Sequence, residues 1–361
     1  MNQPKRLMVM AGGTGGHVFP ALAVARHLRE AGWLVSWLGT ADRMEARVVP
    51  QHGIEIDFID IKGVRGNGLL RKLMAPLQIV KAIYQSWQIQ RRLKPDVVLG
   101  MGGYASGPGG IAAWLRGTPV VLHEQNAVAG ATNRILAKFA KKVLCAFDGA
   151  LEHGQLVGNP VRQELLKVGE TQPVAPNGQL KVLIVGGSLG AQALNTNVPK
   201  AAHELEASVS LTVWHQVGRG NVEATQALWQ EQAPGVGVQV NEFIDDMAAA
   251  YAWADVVISR AGALTVAELA ATGRPSILVP FPHAVDDHQT KNGQALVDAG
   301  AAQMVQQRDL TPQGVAQMLT ELANDNQKLE QMAAAARNLA VIDATERVAN
   351  HCIDAAGGRH E

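Results

Sequence analysis

The sequence predicts an α/β protein made of two parallel-sheet domains of similar size, and three observations predict it. Short β-rich runs alternate with helical patterns along the whole chain, as in strands joined by helical crossovers. The chain has 361 residues, too many for one ordinary core and suited to two. The second half also restarts the plan of the first. KVLIVGGSLGAQALN at 181–195 echoes RLMVMAGGTGGHVFPALA about 175 residues earlier, the spacing of a duplicated domain.

The elements follow in order. Leu7–Met10 reads as a strand, followed by a glycine loop and a helix around Ala21–Glu30. Val35–Leu38, Asp96–Leu99 and Val120–Leu122 read as further strands. A second echo supports the duplication. Asp96-Val97-Val98 leads through a glycine-rich loop and a helix to Gly117-Thr118-Pro119 and a strand. Asp255-Val256-Val257 leads the same way to Gly273-Arg274-Pro275 and a strand. Two matching units in one order argue for two Rossmann-like domains facing each other. Breakers place the linker near Gly158-Asn159-Pro160 or in Thr171–Gly178. The expected limits are 1–160 and 161–342. A last helix from about Asp343 to Ala356 ends at Gly357-Gly358, and the segment 343–361 is a candidate to return to the first domain.

Composition narrows the function. Lys plus Arg equals Asp plus Glu at 32 each, and nucleic-acid binders usually show a basic excess, so no nucleic-acid partner is expected. Cys145 and Cys352 are the two cysteines, with no paired spacing, which speaks against a disulfide framework or a cysteine zinc site and fits a reducing cytoplasm. The apolar run after MNQPKR ends at glycines too soon for a signal segment, and no run approaches the roughly 20 residues that span a bilayer. A soluble or peripheral protein is expected.

Glycines just after a strand let backbone N–H groups approach a phosphate at the next helix N-terminus. GGTGGH at 12–17, GGSLGA at 186–191 and GGYASGPGG at 102–110 all fit that role. None is a P-loop, and neither of the first two has the dinucleotide spacing with its acidic ribose ligand, so a nicotinamide cofactor is disfavoured. One such loop alone is equally well read as a plain strand-to-helix turn; three at strand ends favour a diphosphate ligand.

The segment Gly68–Lys94 is amphipathic. Leu73, Leu77, Val80, Tyr84 and Trp87 recur at helical spacing, flanked by Arg71, Lys72, Lys81, Arg91, Arg92 and Lys94. Such a surface suits an anionic bilayer, and Trp114, Arg116, Lys138, Lys141 and Lys142 can extend it. An apolar stripe on a helix is more usually core, so the pattern alone leaves both readings open.

GGTGGHVFPALAVA, GMGGYASGPGG, HEQNAVAGATNR, GNPVR, GGSLGAQALN, EFIDDMAAAYAWADVVISRAGALTVAEL and VPFPHAVDDHQTKN occur in that order and span nearly the whole chain. Together they resemble the MurG family, the bacterial peptidoglycan N-acetylglucosaminyltransferases that convert lipid I to lipid II. The resemblance implies a GT-B fold, two Rossmann-like domains across a deep cleft. It implies UDP-N-acetylglucosamine as donor and undecaprenyl-diphosphoryl-MurNAc-pentapeptide as acceptor, with no metal and no cofactor. It implies a peripheral enzyme on the cytoplasmic face of the inner membrane, beside other cell-wall or division enzymes.

The resemblance also assigns residues. Ala263, Leu264, Thr265, Val266, Ala267 and Glu268 open a helix at the donor diphosphate, with Glu268 accepting from the ribose hydroxyls. Ala267 stands where relatives can carry Ser. Ile244 lies near the uracil, Ser188 donates to a phosphate and Arg162 neutralises the diphosphate. Gln289 and Asn292 resemble the residues that read the sugar hydroxyls; DDHQTKN departs from the family by what looks like a one-residue insertion. Asp286, Asp287 and His288 beside it tempt a metal reading that relatives do not share. In the first domain Thr14, Gly15 and Gly16 meet a diphosphate and Asn126 contacts the transferred sugar. The implied chemistry is a single displacement with inversion. His17 is the first choice of base, since its ordinary pKa lies near neutrality, and Glu124 is the second. Rival readings are another GT-B transferase acting on a lipid, a UDP-sugar epimerase of similar fold, and a nucleotide-binding module without turnover.

Overall fold

The computed structural model describes residues 3–61, 69–170, 179–187, 190–205 and 209–357, with the side chains of 69–74 and 285 outside that description. Ser188, the stretch Thr171–Gly178 and the side chains of Arg71, Lys72 and Leu73 therefore lie outside the described residues. The chain divides into two units, Met1–Arg162 with Asp343–Glu361, and Gln163–Ile342.

In the first unit seven strands form one sheet: β1 (Arg6–Met10), β2 (Leu34–Gly39), β3 (Glu55–Phe58), β4 (Val97–Gly100), β5 (Val120–Glu124), β6 (Lys142–Cys145) and β7 (Gln155–Leu156). All pairs are parallel, in the order β3-β2-β1-β4-β5-β6-β7. The crossovers carry α1 (Gly15–Glu30), α2 (Met44–Gln51), α3 (Leu69–Leu93) and α4 (Ser106–Leu115), with α5 (Ala131–Leu136) between β5 and β6. β4 and β5 are buried along their whole length, which is why they read as unbroken runs and not as alternation. The strand order reverses between β1 and β4. At such a switch point the strand C-terminal ends leave a crevice, the usual ligand position in an open α/β sheet.

Helix α1 begins at Gly15, six residues before the expected start, and holds Pro20 inside it. A proline removes one backbone donor and reads as a boundary in the sequence; here the helix runs through it.

The second unit repeats the plan with β8 (Gln179–Val185), β9 (Ser210–Gln216), β10 (Gly237–Asn241), β11 (Val256–Ser259), β12 (Ser276–Leu278) and β13 (Ala302–Met304). These are parallel in the order β10-β9-β8-β11-β12-β13. Its helices are α6 (Gln163–Val168), α7 (Gln192–His203), α8 (Val222–Gln232), α9 (Met247–Trp253), α10 (Ala263–Thr272), α11 (His288–Asp298), α12 (Pro312–Asn324) and α13 (Asn326–Asn338).

The duplication reaches single hydrogen bonds. The Asp96 carboxylate accepts from Arg6 N–H at 2.8 Å, and the Asp255 carboxylate accepts from Lys181 N–H at 2.8 Å. Val98 N–H donates to Pro119 O at 3.0 Å, and Val257 N–H to Pro275 O at 3.0 Å. In each unit an aspartate therefore ties the central strand to its neighbour across the switch point.

The last helix, α14 (Ala344–Ala355), packs in the first unit. Val348, Ala349 and Cys352 join the core made by Leu28, Val97 and Val121. Lys5 and Lys141 donate to the carbonyls of Ala356 and Ala355 at 3.1 and 3.0 Å, placing cations at the negative end of the helix dipole. Val161 and Arg162 group with this unit as well, two residues past the expected limit. The Thr345 hydroxyl reaches Val161 O at 3.5 Å, and the Arg162 guanidinium lies 5.3 Å over the Phe19 ring.

Helix α3 packs inward through small and polar residues, with Ile89 and Leu93 against the same core. Ala82, Ser86 and Gln90 are buried, and Gln90 donates to Gly109 O of α4 at 2.9 Å. Leu77, Val80 and Tyr84 are 64%, 63% and 58% exposed, so this stripe is not core. Tyr84 stacks on Trp87, and Arg91 and Arg116 each lie 5.7 Å over the Trp87 ring. Among the described residues no helix is long and apolar enough to cross a membrane.

Candidate active site

The site of the first unit grows from the loops after β1 and β4, which meet at the switch point. Ser106 opens α4 and is fully buried. Its hydroxyl lies 2.6 Å from Met10 O and 2.7 Å from Gly102 O, pinning one loop to the other. Gly103 sits at φ +87, and a Cβ there would lie 2.7 Å from Gly12 N. Only glycine permits that backbone-to-backbone approach. Thr14 caps α1 in extended geometry and is exposed, with Gly15 and Gly16 half-buried behind it. The half-buried His17 ring brings Nδ1 to 3.1 Å from Gly12 O. Gly102, at φ +94, flanks the ring's other edge: a Cβ there would be 2.9 Å from Nε2. Thr14, Gly15, Gly16 and His17 are thus assembled by one loop and one helix start.

Glu124 ends β5 and is 2% exposed. Oε1 accepts from Asn126 N–H at 2.9 Å and from Asn126 Nδ2 at 3.2 Å. Oε2 accepts from Gly130 N–H at 3.2 Å and Asn133 Nδ2 at 2.8 Å. Four donors make this carboxylate the organiser of the 124–133 loop. To reach a substrate hydroxyl it would have to give up one of these bonds, which favours His17 as the base. Asn126, expected to read the sugar, is held by the same carboxylate.

His123, one residue earlier, was not singled out from the sequence. It is fully buried; Nε2–H donates to Gly158 O at 2.9 Å and Nδ1 accepts from Gln125 at 3.1 Å. Burial lowers its pKa to about 4, against a smaller opposing effect of the Gly158 bond. A neutral imidazole therefore ties β5 to the Gly158-Asn159-Pro160 turn. Across the β5–β6 pair Cys145 stands opposite Glu124. Burial pushes its thiol up to about 11, so it is no thiolate nucleophile at neutral pH.

In the second unit the loop after β8 is held by an amide. Gln216 accepts from Gly187 N–H at 2.9 Å and donates to Gly187 O at 3.1 Å and Glu242 O at 2.8 Å. The same residue thus joins the second glycine loop to the segment that carries half-buried Ile244. Helix α10 starts at Ala263 after Gly262. Leu264, Thr265 and Ala267 are half-buried, and Ala263 and Val266 are buried. Glu268 is 6% exposed and accepts from the buried Tyr251 hydroxyl at 3.1 Å. It is no solvated helix charge; Tyr251 fixes it one turn inside α10. Gln289 accepts from Phe281 N–H at 2.9 Å, and Asn292 donates to Ala261 O at 3.3 Å. Asp286 and Asp287 before α11 both have left-handed backbone, at φ 54 and 52, uncommon for non-glycine residues. The unusual DDHQTKN segment is therefore a strained helix entry, in which Asp287 accepts from Thr290 Oγ1 at 2.7 Å.

Ser106, His123 and Gln216 organise these loops without having been singled out from the sequence. Ser106 and His123 carried a signal through their places in GGYASGPGG and HEQN; Gln216 carried none.

The chain matches the glycosyltransferase family 28 N-terminal domain over residues 7–145 and the C-terminal domain of that family over residues 181–348. It is 59% identical over 351 residues to a protein of Shewanella sp. (strain ANA-3), covering 97% of both chains. That relative is named UDP-N-acetylglucosamine--N-acetylmuramyl-(pentapeptide) pyrophosphoryl-undecaprenol N-acetylglucosamine transferase. The crystal structure of Acinetobacter baumannii MurG superposes with a TM-score of 0.82 at 47% identity, over 97% of this chain and all of that one. UDP-GlcNAc 2-epimerase from Neisseria meningitidis, at 15% identity and a TM-score of 0.66, shares the fold. Two parallel sheets of matching strand order, each with a glycine loop at its switch point, agree with both domain matches and with near-full-length identity: the chain belongs to glycosyltransferase family 28.

Proposed function

We propose that the chain transfers N-acetylglucosamine from UDP-N-acetylglucosamine to the 4-hydroxyl of MurNAc in undecaprenyl-diphosphoryl-MurNAc-pentapeptide, with inversion. The observation that carries this reading is 59% identity over 97% of the chain to relatives named for that transfer. The acceptor oxygen attacks the anomeric carbon, the bond to the diphosphate oxygen breaks, and UDP departs. His17 takes the hydroxyl proton. The starts of α1 and α10 offer backbone N–H groups to phosphate oxygens, and Arg162 adds positive charge beside α1. Glu268 holds the ribose, Ile244 the uracil edge, and Gln289 and Asn126 the sugar; Ser188 donates to a phosphate oxygen.

The exposed Leu77, Val80 and Tyr84 with Arg91 and Arg116 support a peripheral seat on an anionic, cytoplasmic-side membrane, where the acceptor's lipid would be anchored. The test is labelled UDP-N-acetylglucosamine with a lipid I analogue, followed for lipid product, free UDP and epimer. Lipid product and UDP in equal amounts are expected. Epimer, or donor binding with no lipid product, would overturn the assignment.

A further inference from the structure

Glu45 opens α2 in the first unit and is 1% exposed. Its Oε1 accepts from Thr40 N–H at 3.1 Å and from the Thr40 hydroxyl at 2.8 Å. Its Oε2 accepts from Gly13 N–H at 2.8 Å. The carboxylate lies so close under the loop that a Cβ at Gly12 would overlap it, and one at Gly39 would lie 2.7 Å from Glu45 Cγ. A buried charge gripping the glycine loop is more than a turn requires. In the second unit a neutral amide, that of Gln216, grips the corresponding Gly187.

What the charge holds is one peptide plane. Gly13 N–H and Gly12 C=O belong to the same peptide. Its N–H end donates to Glu45, and its C=O end faces His17 Nδ1 at 3.1 Å. A carbonyl can only accept, so Nδ1 must carry the proton and Nε2 the lone pair. A Gly-Gly peptide, with Gly13 at φ +90, has little side-chain restraint against turning over. Turned over, it would point its carbonyl at the carboxylate and its N–H at the imidazole, and Nδ1 would lose its acceptor. Negative charge at the N–H end opposes that turn and polarises the carbonyl at the far end.

We propose that Glu45 is a positioning residue for His17, acting through the Gly12–Gly13 peptide to hold the imidazole as the Nδ1–H tautomer with Nε2 as the accepting nitrogen. The proposal rests on the reading of His17 as the proton acceptor. When Nε2 takes the acceptor hydroxyl's proton, the imidazolium keeps its Nδ1–H bond to Gly12 O, and the carboxylate one peptide away offsets its charge. No further co-reactant enters the step.

The test uses the full-length enzyme labelled with 15N-histidine, with the His17 signals among the 11 histidines assigned by their loss in His17→Gln. In the wild type, Nδ1 is expected at a pyrrole-like shift and Nε2 at a pyridine-like one. Glu45→Gln, which keeps the side chain's shape and an acceptor for Gly13, is expected to mix the tautomers. It should lower kcat about 10-fold or more, the scale seen when an orienting partner of a functional imidazole is lost, and leave donor KM within about 2-fold. In a His17→Ala background Glu45→Gln should cost nothing further. A wild-type ring protonated on Nε2 overturns the proposal, and this needs no Glu45 variant to fold. So does a Glu45→Gln variant with an unmixed tautomer, or one that loses the same factor with and without His17. If His17→Ala keeps normal turnover, the proton-acceptor reading falls by itself, and the tautomer measurement still decides what Glu45 does.

Discussion

His17 is held through Nδ1 by a backbone carbonyl at 3.1 Å, an arrangement that keeps a neutral imidazole basic at its other nitrogen. His17→Ala is therefore expected to lower turnover about 100-fold or more, the usual contribution of a general base. Lipid-product formation at saturating donor measures it, and turnover within about 2-fold of wild type would remove His17 from the chemistry. His17 was legible because it directly follows GGTGG at a strand end. Glu124 was legible as a candidate through HEQN, but the four donors around it were not. Whether a carboxylate meets a substrate or four donors depends on how the 124–133 loop closes over it. Glu45 was not legible at all. An isolated acid at the start of a helix looks like an ordinary favourable charge against the helix dipole, and only the folded loop shows Gly13 above it.

The elements carry the duplication, and there the sequence was most informative. Aspartates ninety and seventy-four residues from their partners close matching bonds in the two units, and both had been visible as the heads of Asp-Val-Val runs. Which side of α3 packs inward was not visible, because apolar residues occupy much of its circumference. The choice follows from α4, whose glycine-rich start offers a bare backbone to Gln90, so Ala82, Ser86 and Gln90 face in with Ile89 and Leu93 beside them, and Leu77, Val80 and Tyr84 face out. Leu77→Ser with Val80→Ser should then leave unfolding unchanged within about 0.5 kcal/mol, as for surface substitutions, and weaken sedimentation with anionic phosphatidylglycerol vesicles several-fold. Equal sedimentation of variant and wild type would remove the stripe from membrane contact. The loop junction gives the opposite case. Gly103→Ala must push a Cβ into the Gly12 backbone. It should cost about 2 kcal/mol or more and lower turnover with it. Gly117→Ala, also at positive φ but with nothing within 4 Å, should cost about 1 kcal/mol from backbone strain alone and leave turnover intact. Urea midpoints and kcat separate the two, and equal effects would show that the contact with Gly12 does not matter.

At the scale of the whole molecule, each unit fully buries one neutral histidine among the described residues. His123 in the first has its pKa lowered to about 4 by burial. His215 in the second is lowered to about 3 for the same reason. It donates through Nε2 to Asn195 Oδ1 at 3.1 Å and accepts at Nδ1 from Trp229 at 3.1 Å. Both rings are fully buried, and in the unfolded chain both return to about 6.5. Above that value neither form is protonated, and stability is insensitive to these groups. Below it the unfolded chain binds protons that the folded one refuses, so stability falls as pH falls. Each histidine contributes about 1.4 kcal/mol per pH unit once well under 6.5, or roughly 3 kcal/mol by pH 4. Because the two rings sit in different units, acid should weaken both units and not peel one from an unaffected partner. Urea unfolding between about pH 7.5 and pH 4.5 is expected to show a flat midpoint above 6.5 and a steady decline below it. The imidazole signals of His123 and His215 should stay neutral in the folded protein at about pH 5. A midpoint that holds down to about pH 5, with both rings titrating near 6.5, would mean that the two cores admit protons, and that His123 does not lock β5 to the Gly158 turn.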